Sequence, residues 1–252
     1  MSGHSKWATT KRKKAVIDGK KSKAFTKVVK EIAVAVKEGG GTDPEGNARL
    51  RLAIANAKGV NMPKENIERA INKAADKNAA NLMETTYEGY GPNGIAIFLE
   101  CTTDNINRTV SNVRTAFTKY GGALGTKGSL EFIFVKKGVF TVAAGIPIAI
   151  GVDEEEFTLE LIDGGAEEVE KEDEVFIIYT SFEDFGRMQK KLDQMGITPE
   201  NAQLQRIPIT TKTLGLEASK KIFKLIEHFE EDEDVQNVYH NLEMTDELVK
   251  EL

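Results

Sequence analysis

The chain has 252 residues, of which 40% are hydrophobic and 29% charged, with a formal net charge of -6. That composition fits a soluble globular protein of two or three domains and excludes a disordered or collagen-like chain. A single Cys excludes an internal disulfide and a Cys-based zinc cluster.

Residues 1–80 hold 18 Lys/Arg against 8 Asp/Glu, a balance of +10. Residues 81–252 hold 16 against 32, a balance of -16. A basic head on an acidic body points to an anionic partner for the head. The longest uncharged apolar stretch, residues 139–152, carries two Gly and one Pro and is too short to cross a bilayer. The N-terminus lacks the apolar core of a signal peptide. A cytoplasmic protein with no membrane partner is expected.

The chain opens on a lysine-dense arm, "GHSKWATTKRKK", which carries the only Trp. Residues 11–21 fit a short, loose helix. "SKAFTKVVKEIAVAVKEGG" predicts a helix with Ser22 as N-cap and Gly39 as its stop. Phe25, Val28, Val29, Ile32 and Val36 fall on one stripe at three- and four-residue steps. "TDPEGNARLRLAIANAKG" predicts a second helix, capped by Asp43, with Pro44 at its first position and Gly59 at its end. Leu50, Ile54 and Ala57 face inward there, flanked by Arg49 and Arg51. "MPKENIERAINKAADK" predicts a third. Residues 1–80 therefore read as a basic helical domain with an N-terminal arm, followed by a small polar linker, "KNAANLMET".

The period then changes to that of strands, "TTYEGY" and "IAIFLECTT", joined by "GPNG". Asp104 is the expected cap of the helix that follows, with Val110, Val113 and Phe117 on its stripe. "SLEFIFV" predicts the next strand, and a new one restarts at Gly138 with "GVFTVAA". A helix with acids in its first turn, two strands, a helix capped by Ser181 and the strand "NAQLQRIPI" complete the order βαββαβ. The fold class expected is α+β: the helical domain plus two α+β domains, the third ferredoxin-like and inserted into the second. The inserted domain spans residues 137–206. The discontinuous domain spans residues 81–136 and 207–252 and closes with "LEASKKIFKLIEHFEEDEDVQNVYHN".

Several motifs resemble chemistry without carrying it. "GYGPNG" spells a dinucleotide fingerprint, but a strand follows where a helix is required, so it reads as a hairpin turn. His4, His228 and His240 lack zinc spacing. Cys101 sits in an apolar strand as a small core residue. Arg108 reads as a solvated helix residue, and the acid runs 153–156 and 230–234 as solvated helix ends. No catalytic residue, metal site, cofactor or small-molecule substrate is expected.

The arm offers Lys6, Lys11, Arg12, Lys13 and Lys14 to phosphates. Two roles fit Trp7: stacking on an unpaired base, worth roughly 1–3 kcal/mol, or packing on the body as an anchor. "GHSKW", "ARLRLAIANAKGVNMPKENIERAI", "TYEGYGPNGIAIFLECTTDNINRT", "FTKYGGALGTKGSLEFIF" and "VQNVYHN" resemble the YebC/PmpR family, also called the translational activator of cytochrome oxidase family. The resemblance runs over nearly the whole chain. It implies three domains, the third inserted into the second, and no enzymatic role. Members are catalogued as "probable transcriptional regulators" that bind DNA, and others resemble translation factors that act on the ribosome.

Carried onto this sequence, the family's basic arm falls on His4, Lys6, Trp7, Lys11 and Lys14, and its basic helical face on Lys23, Lys27, Arg49 and Arg51. Arg12, Lys13, Lys20 and Lys21 complete the candidate nucleic-acid-binding set. "ATTKRKK" departs from the family's "ANIKHRK", which removes a His, and Ala48 stands where a Pro is common. DNA and ribosomal RNA both remain as ligands. A Lys-rich arm with one aromatic and no paired recognition helices favours irregular RNA, where unstacked bases are available. The alternative is a protein-binding adaptor acting through the acidic α+β domains.

Overall fold

The computed structural model describes residues 21–76, 79–172, 174–245 and 248. Its first three helices are α1 (Lys21–Glu38), α2 (Ala48–Gly59) and α3 (Lys64–Ala75). Val28, Ile32, Ala35 and Val36 of α1 pack on Leu50, Ala53 and Ala57 of α2 and on Ile67, Ala70 and Ala74 of α3. The alanines let three short helices approach closely around Ile32 and Leu50, which are fully buried. Burying a side chain of that size contributes about 1.5–3 kcal/mol.

Two helix starts differ from the sequence reading. Ser22 lies inside α1 rather than before it. Residues 43–46 form a turn, in which Asp43 Oδ1 accepts from the Glu45 N–H, and α2 begins at Ala48. Its cap is Asn47, whose Oδ1 accepts from the Leu50 N–H at 2.9 Å. The same amide donates to Ala35 O at 2.7 Å and Gly41 O at 2.8 Å. The Asp43 side chain has no N–H to donate, so it could not close the end of α1 while capping α2.

The first sheet has the order β3-β1-β2-β8. Its strands are β1 (Met83–Tyr90), β2 (Ala96–Thr103), β3 (Ala123–Leu124) and β8 (Val235–His240), all antiparallel. "GYGPNG" is the hairpin between β1 and β2, with Asn93 and Gly94 at positive φ. Helices α4 (Ile106–Lys119) and α8 (Leu216–Glu231) cover one face of this sheet. Ile97, Leu99, Cys101, Phe117, Ile226 and Phe229 form the core between them, with Phe117 and Phe229 rings 4.9 Å apart. Asn105, not Asp104, caps α4. Asp104 is drawn instead into an ion pair with Arg108.

The second sheet has the order β5-β6-β4-β7, the antiparallel arrangement of a split βαβ unit. Its elements run β4 (Phe134–Ala143), α5 (Ile146–Ile150), α6 (Glu154–Asp163), β5 (Ala166–Glu172), β6 (Val175–Ser181), α7 (Phe185–Gln194) and β7 (Asn201–Pro208). In sequence the whole unit lies between β3 and β8 of the first sheet. Phe140, Phe157, Leu161, Ile178, Met188 and Leu192 fill its core under α6 and α7.

"SLEFIFV" is not a strand of its own. Both oxygens of Glu88 hold the backbone N–H groups of Gly128 and Leu130 at 2.7 Å, which folds residues 126–133 into turns. β4 then runs unbroken through Gly138, where a side chain would collide with Thr180 and Phe185. The expected boundaries at 136/137 and 206/207 thus fall inside β4 and β7. Ser181 Oγ accepts from the Asp184 N–H, so it closes the turn before α7 rather than capping the helix.

Candidate nucleic-acid interface

His4, Lys6, Trp7, Lys11, Arg12, Lys13, Lys14 and Lys20 lie outside the described residues. Lys21 opens α1. Lys23, Lys27 and Lys30 follow at helical spacing, and that stripe meets the acidic body. Lys23 Nζ is 3.7 Å from Glu231 at the end of α8. Lys27 Nζ donates to Gln236 O at 3.4 Å. Lys30, which the sequence reading did not single out, donates to Asp234 Oδ1 at 2.9 Å, Thr102 O at 3.0 Å and Glu233 O at 2.7 Å.

Asp234 is the hub of this contact. Its second oxygen accepts from Arg108 at 2.8 Å, Thr109 Oγ1 at 2.9 Å and Thr103 Oγ1 at 3.1 Å. Burial pushes this carboxyl upward, but the bonds from Arg108, Lys30 and Thr109 outweigh it and bring its pKa down to about 2. Arg108 is thus exposed, as expected, but ion-paired rather than free, and the acid run 230–234 is not merely a solvated helix end.

The two arginines of α2 are also engaged within the chain. Arg49 bridges Glu38 at 2.9 Å and Glu84 of β1 at 2.5 Å. Arg51 donates to Pro44 O at 2.6 Å and Glu45 O at 3.0 Å. Asn56 pairs with the Ala202 backbone in both directions, at 3.2 and 3.1 Å, and Gly59 sits so close to Glu200 O that no side chain fits. The head thus grips both sheets.

A cavity of about 780 Å³ opens where the three parts meet, lined among others by Glu31, Arg49, Asn56, Glu84, Glu100 and Arg206. Arg206 faces Glu100 at 3.3 Å and stacks on Phe98 at 3.8 Å. Burial raises Glu31 to about 7, against the pull of the Asn56 hydrogen bond and of Arg49. The Cys101 thiol is pushed up to about 12 by burial, which leaves it a core residue rather than a nucleophile. Among the described residues no group of three His, Cys, Asp or Glu is placed to hold a metal. No described helix is long and apolar enough to cross a membrane.

Other cations of the head face outward. Lys58, Arg69 and Lys73 are exposed and form no ion pair with a described residue. Arg69 and Lys73 stand four residues apart on α3, a like-charge spacing that is unfavourable until an anion sits between them. The sequence reading missed them because Glu65 and Glu68 dilute the local charge. Their spacing opposite Ile67, Ala70 and Ala74 was the available signal.

Residues 5–77 match the model described as "TACO1/YebC protein N-terminal domain", and residues 82–242 match "TACO1/YebC second and third domain". The chain belongs to the TACO1/YebC family. A relative from Amoebophilus asiaticus, named "Probable transcriptional regulatory protein", is 51% identical over 96% of this chain and 98% of its own length. A relative of the same name from Cytophaga hutchinsonii is 52% identical over 89% of this chain and 92% of its own. A conserved hypothetical protein of known crystal structure from Aquifex aeolicus superposes with a TM-score of 0.77 at 43% identity, covering 90% of this chain and 91% of that one. The TACO1/YebC fold thus accounts for both sheets and the helical head.

Proposed function

We propose that this protein is a non-enzymatic regulator of gene expression that binds nucleic acid through its basic head. The observation that carries the reading is the division of charge within the head. The stripe Lys23–Lys27–Lys30 and Arg49 meet the acidic body, whereas Lys58, Arg69 and Lys73 face solvent beside the +10 balance of residues 1–80. The ligand-facing set is therefore the arm (His4, Lys6, Trp7, Lys11, Arg12, Lys13, Lys14, Lys20 and Lys21) together with the outer side of α2 and α3. Folded ribosomal RNA suits this set better than a promoter, because the described residues of the head present no paired recognition helices for two half-sites. The names of the relatives favour DNA as the second reading.

Gradient sedimentation of a lysate, with the full chain and with a chain lacking residues 1–14, separates the two. Travel with ribosomes that is lost on deletion supports the RNA reading. A chain that never travels with ribosomes but shifts one promoter fragment supports the DNA reading. Neither activity changing on deletion removes the arm from the site.

A further inference from the structure

The inserted unit carries a surface that the proposed function does not use. Between β4 and α6 the chain makes the short helix α5, "IPIAI". Ile146 and Val152 pack against the core of the unit and Pro147 is buried. That anchoring turns Ile148 and Ile150 outward, 83% and 37% exposed. On α6, Phe157 and Leu161 face the core. Leu159 and Ile162, three residues apart, therefore stand on the opposite side, 61% and 54% exposed. Ile162 lies about 12 Å along α6 from its first residue, at 1.5 Å per residue. Four large aliphatic side chains on these two consecutive helices, together called the α5–α6 ridge, are thus exposed.

The ridge has an acidic rim. Residues 143–172 contain ten Asp/Glu and one Lys. That Lys171 pairs with Glu154, and Lys191 from α7 pairs with Glu160 and Asp163. Glu155 and Glu156 stay exposed with no ion pair to a described residue.

We propose that the α5–α6 ridge docks a protein partner through an amphipathic helix whose apolar stripe is flanked by Lys and Arg. An apolar stripe on a helix complements an apolar ridge of this length. Charge selects the class of partner: the rim repels nucleic acid, anionic bilayers and a second copy of the same face, and attracts a basic protein segment. The ridge lies on the inserted unit, and its use does not depend on what the basic head binds.

The test titrates the isotope-labelled full chain with an 18-residue synthetic helix, leucine on one face and lysine on the other. Controls are the same peptide with Glu for Lys, and a scrambled peptide. Expected are amide shifts confined to α5 and α6, weakened by added salt. The double variant Ile148→Lys, Leu159→Lys replaces only exposed side chains, so its spectrum elsewhere stays native, and it binds at least tenfold more weakly. Equal binding of the acidic or scrambled peptide, or shifts away from α5 and α6, would overturn the proposal. So would α5–α6 shifts that appear with protein concentration alone, which assign the ridge to a second copy, or on deletion of residues 1–20, which assign it to the chain's own arm.

Discussion

Asp234 accepts from Lys30 of the head and from Arg108, Thr103 and Thr109 of the body. Its native pKa, about 2, lies below the ordinary 3.8. Between about pH 4 and pH 2 the unfolded chain takes up a proton that native Asp234 does not. The stability that this carboxylate contributes is present above pH 4 and lost on acidification, on the order of 2 kcal/mol. Asp234→Asn should destabilise by about 2–3 kcal/mol at pH 7, because Lys30 and Arg108 lose their partner, and should flatten the acid limb measured by denaturant titration. Glu31 behaves oppositely. Its native value of about 7 exceeds 4.5, so the folded state holds the proton more tightly and stability falls as pH rises from about 4.5 to 7. Glu31→Gln keeps an acceptor for Asn56 and removes the charge. It should match the parent at pH 4 and exceed it by about 1–3 kcal/mol at pH 8. A variant less stable than the parent at pH 8 contradicts this account of the cavity.

Asn47 shows what an element needs beyond its own sequence. Asn47→Ala removes the cap of α2 and leaves the carbonyls of Ala35 and Gly41 without this donor. The expected loss is about 2–3 kcal/mol in equilibrium unfolding. Hydrophobic period made the helices and strands legible, because each buries one face and repeats at its own spacing. The caps were not legible, because Asp43 and Asn47 both match a helix start and only the distant carbonyl of Ala35 separates them. Gly138 read as a break for the same reason: the ring of Phe185 that fills its place comes from α7. In the candidate site the charge of Lys23, Lys27 and Arg49 was plain in the sequence. Their partners were not, since Lys27 meets a carbonyl 209 positions away. A basic residue declares a charge, and tertiary structure decides whether that charge faces the ligand or the body.

At the scale of the whole molecule, the head holds an acidic body with one side, and the proposed function gives its other side to an anionic partner. These two uses separate by mutation. Arg49→Ala should leave RNA affinity within about twofold and lower stability by about 1 kcal/mol, since both its ion pairs are half-exposed. Reversal of the outer cations should act on affinity alone. The most direct measurement is the salt dependence of binding to a structured ribosomal RNA fragment, for the parent and for Lys58→Glu, Arg69→Glu, Lys73→Glu combined. Each phosphate contact contributes about 0.7–0.9 to the slope of log affinity against log salt. The account predicts a triple variant with native unfolding behaviour, weaker binding and a slope shallower by about 2. A folded triple variant with the parent's affinity and slope would contradict it.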